Sequence, residues 1–435
     1  MAGETPGTGY GAILRLAFPA LGALAAEPLY ILVDTAIVGH LGREPLAALA
    51  AAATVLGALA IFNFLQYGAT AQVARAGGAG EARDARRIGA QTVWLSLALG
   101  VVLAIALATC AGPLVRLVGV EGRSADLGET YLRIVSLGVP SAFLALGAQG
   151  FLRGVADLRR PFHLLLAGNL LNVVLEVWFV YGLGWGVEGS AWGTAIAQTA
   201  MGVGFVWLLL RRIAPSDRRP LLAPALKLLS IGKYLFLRTT ALVAAFLLAG
   251  GVVGRLGDAP LGAYQVTFQL WIFLALVLDA VAIAGQIVVG RELGAGRAEE
   301  AYRASARMIR LSVGIGVLFA VGLLASSELL PRAFTDDPAV LAQCALAWPV
   351  FALMQPLNGA VFALDGILIG AGDGRFIAGA MVASFGVCAS ALAASSALGW
   401  GIRGVWLALV VLVAARLATL GARFLRRRWL VIGWA

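Results

Sequence analysis

Long apolar runs alternate along the chain with short breaks rich in glycine, arginine and proline. The run "TVWLSLALGVVLAIALATCAGPLV" (Thr92–Val115) carries no charged residue. A helix crosses the hydrocarbon core in about 20 residues, so runs of this kind read as membrane spans. The pattern predicts twelve: 14–38, 45–74, 88–112, 127–152, 161–182, 188–210, 228–252, 260–289, 306–329, 338–368, 376–397 and 402–422.

Composition agrees. The 435 residues are 60% hydrophobic and 13% charged, whereas soluble domains are nearer half apolar and a quarter charged. The fold class is therefore an all-α integral membrane protein. The net charge of +10 belongs to basic loops rather than to a nucleic-acid surface. Arg83, Arg86, Arg87, Arg211, Arg212 and many of the other cations fall in loops on one side. The opposite loops hold Arg43, Arg116, Arg123, Arg255, Arg332 and Arg403. Positive loops stay inside, so both termini are expected on the cytoplasmic side of the cell membrane. An even number of spans follows. Cys110, Cys344 and Cys388 are scattered, and His40 and His163 stand alone at segment ends. Neither set suggests a metal site or a disulfide framework.

The chain repeats itself. "VGHLGREPLAA" (Val38–Ala48) returns as "VGRLGDAPLGA" (Val253–Ala263), 215 residues later. "LGWGVEG" (Leu183–Gly189) returns as "LGWGIRG" (Leu398–Gly404) at the same spacing, and "GFLRGVADLR" (Gly150–Arg159) as "GILIGAGDGR" (Gly366–Arg375) one residue further on. One spacing held across several loops implies two pseudo-symmetric six-helix bundles. The N-terminal lobe covers 1–212, a cytoplasmic linker 213–227, and the C-terminal lobe 228–435. Six is even, so the repeats run parallel, an arrangement found in transporters.

Five acids lie within predicted spans: Glu27, Asp34, Glu176, Asp279 and Asp365. An ionisable residue at mid-helix costs about 2.5–3.5 kcal/mol on insertion scales, and marks an ion or substrate path by default. Spans 1 and 5 both run outward. Asp34 and Glu176 sit about 5–6 residues from their outer ends, which at 1.5 Å per residue puts them at one level. Burial and a neighbouring acid both favour a protonated carboxyl, as a proton coupler requires. The plainer reading of Asp34 is an acid bonded to a carbonyl freed where Pro28 disrupts the helix. Glu27 lies two turns from Asp34 on the same face and is a candidate relay. In the second lobe Arg238, Asp279 and Asp365 form a charge cluster, read as a buried ion pair. At the repeat spacing Asp34 aligns with Ala249, Asp279 with Asn63 and Asp365 with Gln149, so the lobes have diverged. Tyr30, Trp178 and Trp192 could wall a site for flat cations, though tryptophan also anchors helices at the interface.

Four stretches carry a family resemblance: "LAFPALGALAAEPLYILVDTAIVGHLG" in span 1, "GFLRGVADLRRP" after span 4, "LFLRTTALVAAF" in span 7 and "LDGILIGAGD" in span 10. Together they resemble the multidrug and toxic compound extrusion (MATE) family, within it the DinF-like branch, over nearly the whole chain. The resemblance implies a twelve-helix exporter that exchanges organic compounds for H⁺ or Na⁺. It places the ion-coupling carboxylate on Asp34, a tyrosine one turn earlier on Tyr30, a helix-bending proline on Pro19, and further site residues on Asn172, Glu176 and Thr194. Glu176 stands where aspartate is commoner in the family. Some members use a second-lobe acid in span 7; Arg238 stands there instead, which argues against a second-lobe Na⁺ site.

The expected function is a secondary active multidrug efflux antiporter, exporting organic cations in exchange for protons by alternating access. Acids outnumbering Arg238 favour cationic cargo. The alternatives are a Na⁺-coupled exporter of the same fold and a lipid-linked precursor flippase. No His cluster or nucleophile context suggests an enzyme. No cofactor, metal or nucleic-acid partner is expected; the partners are small organic molecules and membrane lipids, and the protein is read as a monomer.

Overall fold

A computed structural model describes residues 9–433, with the side chains of 27, 222–224 and 227 outside the described set. Every regular element among the described residues is helical. The first half contains α1 (Tyr10–Gly39), α2 (Arg43–Gly57), a 3₁₀ stretch (Ala58–Asn63), α3 (Phe64–Gly78), α4 (Ala82–Leu117), α5 (Gly122–Ser136), α6 (Val139–Gly154), α7 (Arg159–Val177), a π turn (Trp178–Gly182) and α8 (Gly186–Leu210). The second contains α9 (Leu222–Gly254), α10 (Asp258–Gly294), α11 (Ala298–Ala325), the one-turn α12 (Leu329–Arg332), α13 (Pro338–Leu353), α14 (Gln355–Gly370), α15 (Gly374–Ala397) and α16 (Gly401–Leu425).

Ten helical segments among the described residues are long and apolar enough to cross a membrane. Two further spans are bent pairs, α5–α6 at 52° and α13–α14 at 48°, which brings the number to the twelve read from the sequence. Pro140 and Pro356 stand just after the two breaks, 216 residues apart. Each lacks the N–H that would continue the preceding helix, and each ring crowds the carbonyl four residues back. The bend is therefore a repeated feature written by a repeated proline.

Backbone geometry repeats as well. Gly186 and Gly401 both open a helix from left-handed backbone, with φ of 57° and 58°. After α6 and α14 the chain turns through Ala156, with φ of 61°, and Gly372, with φ of 76°. Glycine adopts this conformation freely, while alanine is strained there. Ala156→Gly should therefore raise stability by about 1 kcal/mol. Thermal unfolding of the purified protein in detergent checks this, and an unchanged or lowered midpoint would refute the strain.

The chain divides into two compact units, Gly22–Gly232 and a second made of Lys233 onward with the described residues up to Leu21. In the first, a cluster that includes Val38, Leu49, Ala111, Val115, Leu132 and Ala191 packs α1, α2, α4, α5 and α8 together. The stretch after α8 is docked on α4. Asp217, its side chain almost fully buried, takes Arg83 Nε at 3.2 Å, Arg86 Nε at 3.3 Å and Arg87 Nε at 3.5 Å. Burial alone would push its carboxyl up, but the hydrogen bonds and charges of Arg83 and Arg86 hold it below the ordinary carboxylate range. Gln91 donates to Arg219 O and accepts from Leu221 N, and Trp94 donates to Arg218 O. Arg218 and Arg219 thus dock through their carbonyls, while the Arg218 guanidinium folds back on Ile213 O and Leu210 O.

Candidate ion-coupling site

Two residue pairs on α8 build the site. Gly189 and Gly193, four apart, lie on one face. A Cβ on Gly193 would stand 2.9 Å from Glu176 Cγ, and one on Gly189 2.9 Å from the Phe179 carbonyl carbon. Small residues at this spacing let membrane helices approach backbone to backbone, so α8 lies tight against the end of α7 and its π turn. The neighbouring pair, Ser190 and Thr194, then carries two hydroxyls to the level of Glu176.

Asp34 on α1 and Glu176 on α7 meet there. Ser190 Oγ donates to Asp34 Oδ1 at 2.7 Å and lies 3.5 Å from Glu176 Oε1. Tyr131 of α5 reaches Asp34 Oδ2 at 3.5 Å. Thr194 Oγ1 donates to Glu176 Oε1 at 3.4 Å, shares a 2.8 Å hydrogen bond with Tyr30 OH, and accepts from Asn172 Nδ2 at 3.3 Å. Asp34 is 5% exposed and Glu176 fully buried. Glu176 Oε2 and Asn172 Oδ1 are buried acceptors that take no hydrogen bond among the described residues. Buried carboxyl oxygens are costly to leave bare.

The structure thus brings together Tyr30, Asp34, Asn172, Glu176 and Thr194. Two members were not read from the sequence, Ser190 and Tyr131. The turn of α1 beside Pro28 is held by Asn169 Nδ2, which donates to Ala26 O at 2.8 Å. α1 runs as one helix through both Pro19 and Pro28. Glu27 lies on that helix with its side chain outside the described set. Trp178 and Trp192 are exposed, at 56% and 37%, as interfacial anchors are.

The sequence profile of the MatE family matches residues 19–178 and 236–394, one block in each repeat. The chain belongs to the MatE family. The DNA damage-inducible protein F of Escherichia coli is 31% identical over 435 residues, covering 96% of this chain and 92% of that protein. The chloroplastic protein DETOXIFICATION 44 of Arabidopsis thaliana is 30% identical over 419 residues, covering 93% and 80%. A probable multidrug resistance protein NorM of Deinococcus radiodurans is 30% identical over 431 residues, covering 96% and 95%. Among solved structures, a MOP superfamily transporter from Pyrococcus furiosus superposes with a TM-score of 0.87 at 23% identity over 96% of both chains. A MATE in the bent conformation gives 0.87 at 23% identity, covering 96% and 94%. MatE proteins are multi-pass membrane transporters, and so is this chain.

The second lobe of this MatE protein holds a different cluster from the one read in the sequence. Asp365 on α14 takes both Arg238 of α9 and Arg416 of α16 on Oδ2. Arg416 and Asp365 are each 4% exposed or less. The expected pairing of Arg238 with an acid is present at Asp365, and Arg416 adds a second guanidinium on the same carboxylate. Arg416 lies inside the predicted span 402–422 and was not singled out. Asp279 is half-buried on α10. Arg238 and Arg416 match Asp279 and Asp365 in number, so acids do not outnumber intramembrane cations in this lobe.

Proposed function

We propose that the protein is a proton-coupled exporter of organic cations, and that Asp34 and Glu176 are the groups that exchange the proton. The observation that carries this reading is one hydroxyl, Ser190, within hydrogen-bonding reach of both buried carboxyls. Two carboxylates this close share a proton more readily than they both ionise. A pair holding one proton retains one negative charge, which suits a cationic cargo or a second proton. The ring of Tyr30 stands beside the pair and offers a face to such a cargo. In the second lobe Asp365 is engaged by two guanidiniums, which supports a single coupling site. The name of the Deinococcus relative, a probable multidrug resistance protein, supports export as the direction. The basic loops support cytoplasmic termini.

Na⁺ is the second reading, because the carboxyl, amide and hydroxyl oxygens of Asp34, Glu176, Asn172, Ser190 and Thr194 cluster in the first lobe. Efflux of a cationic dye from membrane vesicles separates the two. Transport should follow an imposed pH gradient in Na⁺-free buffer. Efflux that requires Na⁺ and ignores the pH gradient would overturn proton coupling.

A further inference from the structure

Most hydroxyls in these helices turn back on their own backbone. Thr92 donates to Ile88 O, Thr267 to Ala263 O and Ser384 to Ala380 O, each one turn earlier. This is the usual resting place of a hydroxyl in a membrane helix. Ser190 does otherwise. It is fully buried, and its hydrogen goes to Asp34 Oδ1 at 2.7 Å, with Glu176 Oε1 at 3.5 Å on its other side.

We propose that Ser190 is the relay through which Asp34 and Glu176 pass their shared proton. This rests on the proton-coupled reading above. A hydroxyl has one hydrogen to give and two lone pairs to receive with, so it can donate to one carboxylate while accepting from the other in its protonated form. When Glu176 carries the proton, its O–H bond breaks toward Ser190 Oγ as the Ser190 O–H bond breaks toward Asp34 Oδ1. Two O–H bonds break and two form, the serine is unchanged, and the negative charge moves from Asp34 to Glu176. Net proton release then occurs from whichever acid faces the open side. Thr194 bonds Glu176 and Tyr30, and Tyr131 bonds Asp34, so each of these hydroxyls serves one acid. Ser190 is the hydroxyl within reach of both acids, which also lie within hydrogen-bonding reach of each other. Its place one turn before Thr194, on the face that Gly189 and Gly193 press against α7, puts it between α1 and α7.

The test compares wild type, Ser190→Ala, Ser190→Cys and Ser190→Thr in vesicles, with dye efflux measured across a range of pH in Na⁺-free buffer. Alanine is smaller and cysteine nearly isosteric, so neither introduces a clash. Loss of the charge-assisted bond should lower pH-driven efflux of the alanine and cysteine variants roughly tenfold. It should also move their pH profiles upward, because the Asp34 carboxylate loses the donor that favours its charged form. Ser190→Thr, which keeps the hydroxyl, should restore the wild-type profile. A merely structural serine would change the amount of folded protein and leave the profile of the folded fraction unmoved. A wild-type profile in either folded variant, Ala or Cys, overturns the bridge while leaving proton coupling intact. Wild-type efflux that ignores the pH gradient overturns the coupling reading itself, and this inference with it.

Discussion

Asp365→Ala is expected to be the most damaging single change in the second lobe. It leaves Arg238 and Arg416 buried side by side with no carboxylate between them. Removing one partner of a buried ion pair costs about 3–5 kcal/mol, a large part of the roughly 5–15 kcal/mol that holds a domain together. Arg238→Ala should be milder, because Arg416 still neutralises Asp365. The reading of a single Arg–Asp pair predicts the opposite: loss of Arg238 would be severe, and neutralising Asp365 would rescue it. Monodisperse yield and unfolding midpoint in detergent distinguish the two. Replacing all three charges together, as Arg238→Met, Asp365→Leu and Arg416→Met, should recover much of the loss. Equal damage from Arg238→Ala and Asp365→Ala, or none from either, would show that the three charges do not act as a unit.

Asp34→Asn should abolish coupled efflux and spare the fold. The amide keeps the shape of the carboxyl, and its oxygen still accepts from Ser190. It cannot bind and release a proton. Losing a proton-transferring group typically costs a factor of 10²–10⁴, so pH-driven dye efflux should fall by at least about a hundredfold. Yield and unfolding midpoint should stay near wild type. A variant that still pumps at the wild-type rate would make Asp34 a structural residue.

The level shared by Asp34 and Glu176 was legible, because helical rise fixes depth once span ends and direction are known. So were the two lobes, from loops that repeat at one spacing. The bends were not read, although Pro140 and Pro356 stood in plain view, because an apolar run of the right length reads as one straight span. Ser190 was missed for a physical reason. A serine in an apolar helix ordinarily bonds its own backbone, and nothing in "EGSAWGT" says which way the hydroxyl turns. The close approach allowed by Gly189 and Gly193 decides it, and that is a property of packing. Tyr131 sits on α5 among the charged residues Glu129 and Arg133, which gives it the look of a surface residue. Arg416 was passed over because a single arginine inside the apolar run 402–422 leaves that run readable as a span.

Proton release from purified protein tests the central claim most directly. The protein is held in detergent in weakly buffered, Na⁺-free solution with a pH indicator, and a lipophilic organic cation is added. Wild type should release protons as the cation binds, and Asp34→Asn should release none while remaining folded. No release from wild type, or equal release from Asp34→Asn, would contradict the assignment of proton exchange to this pair.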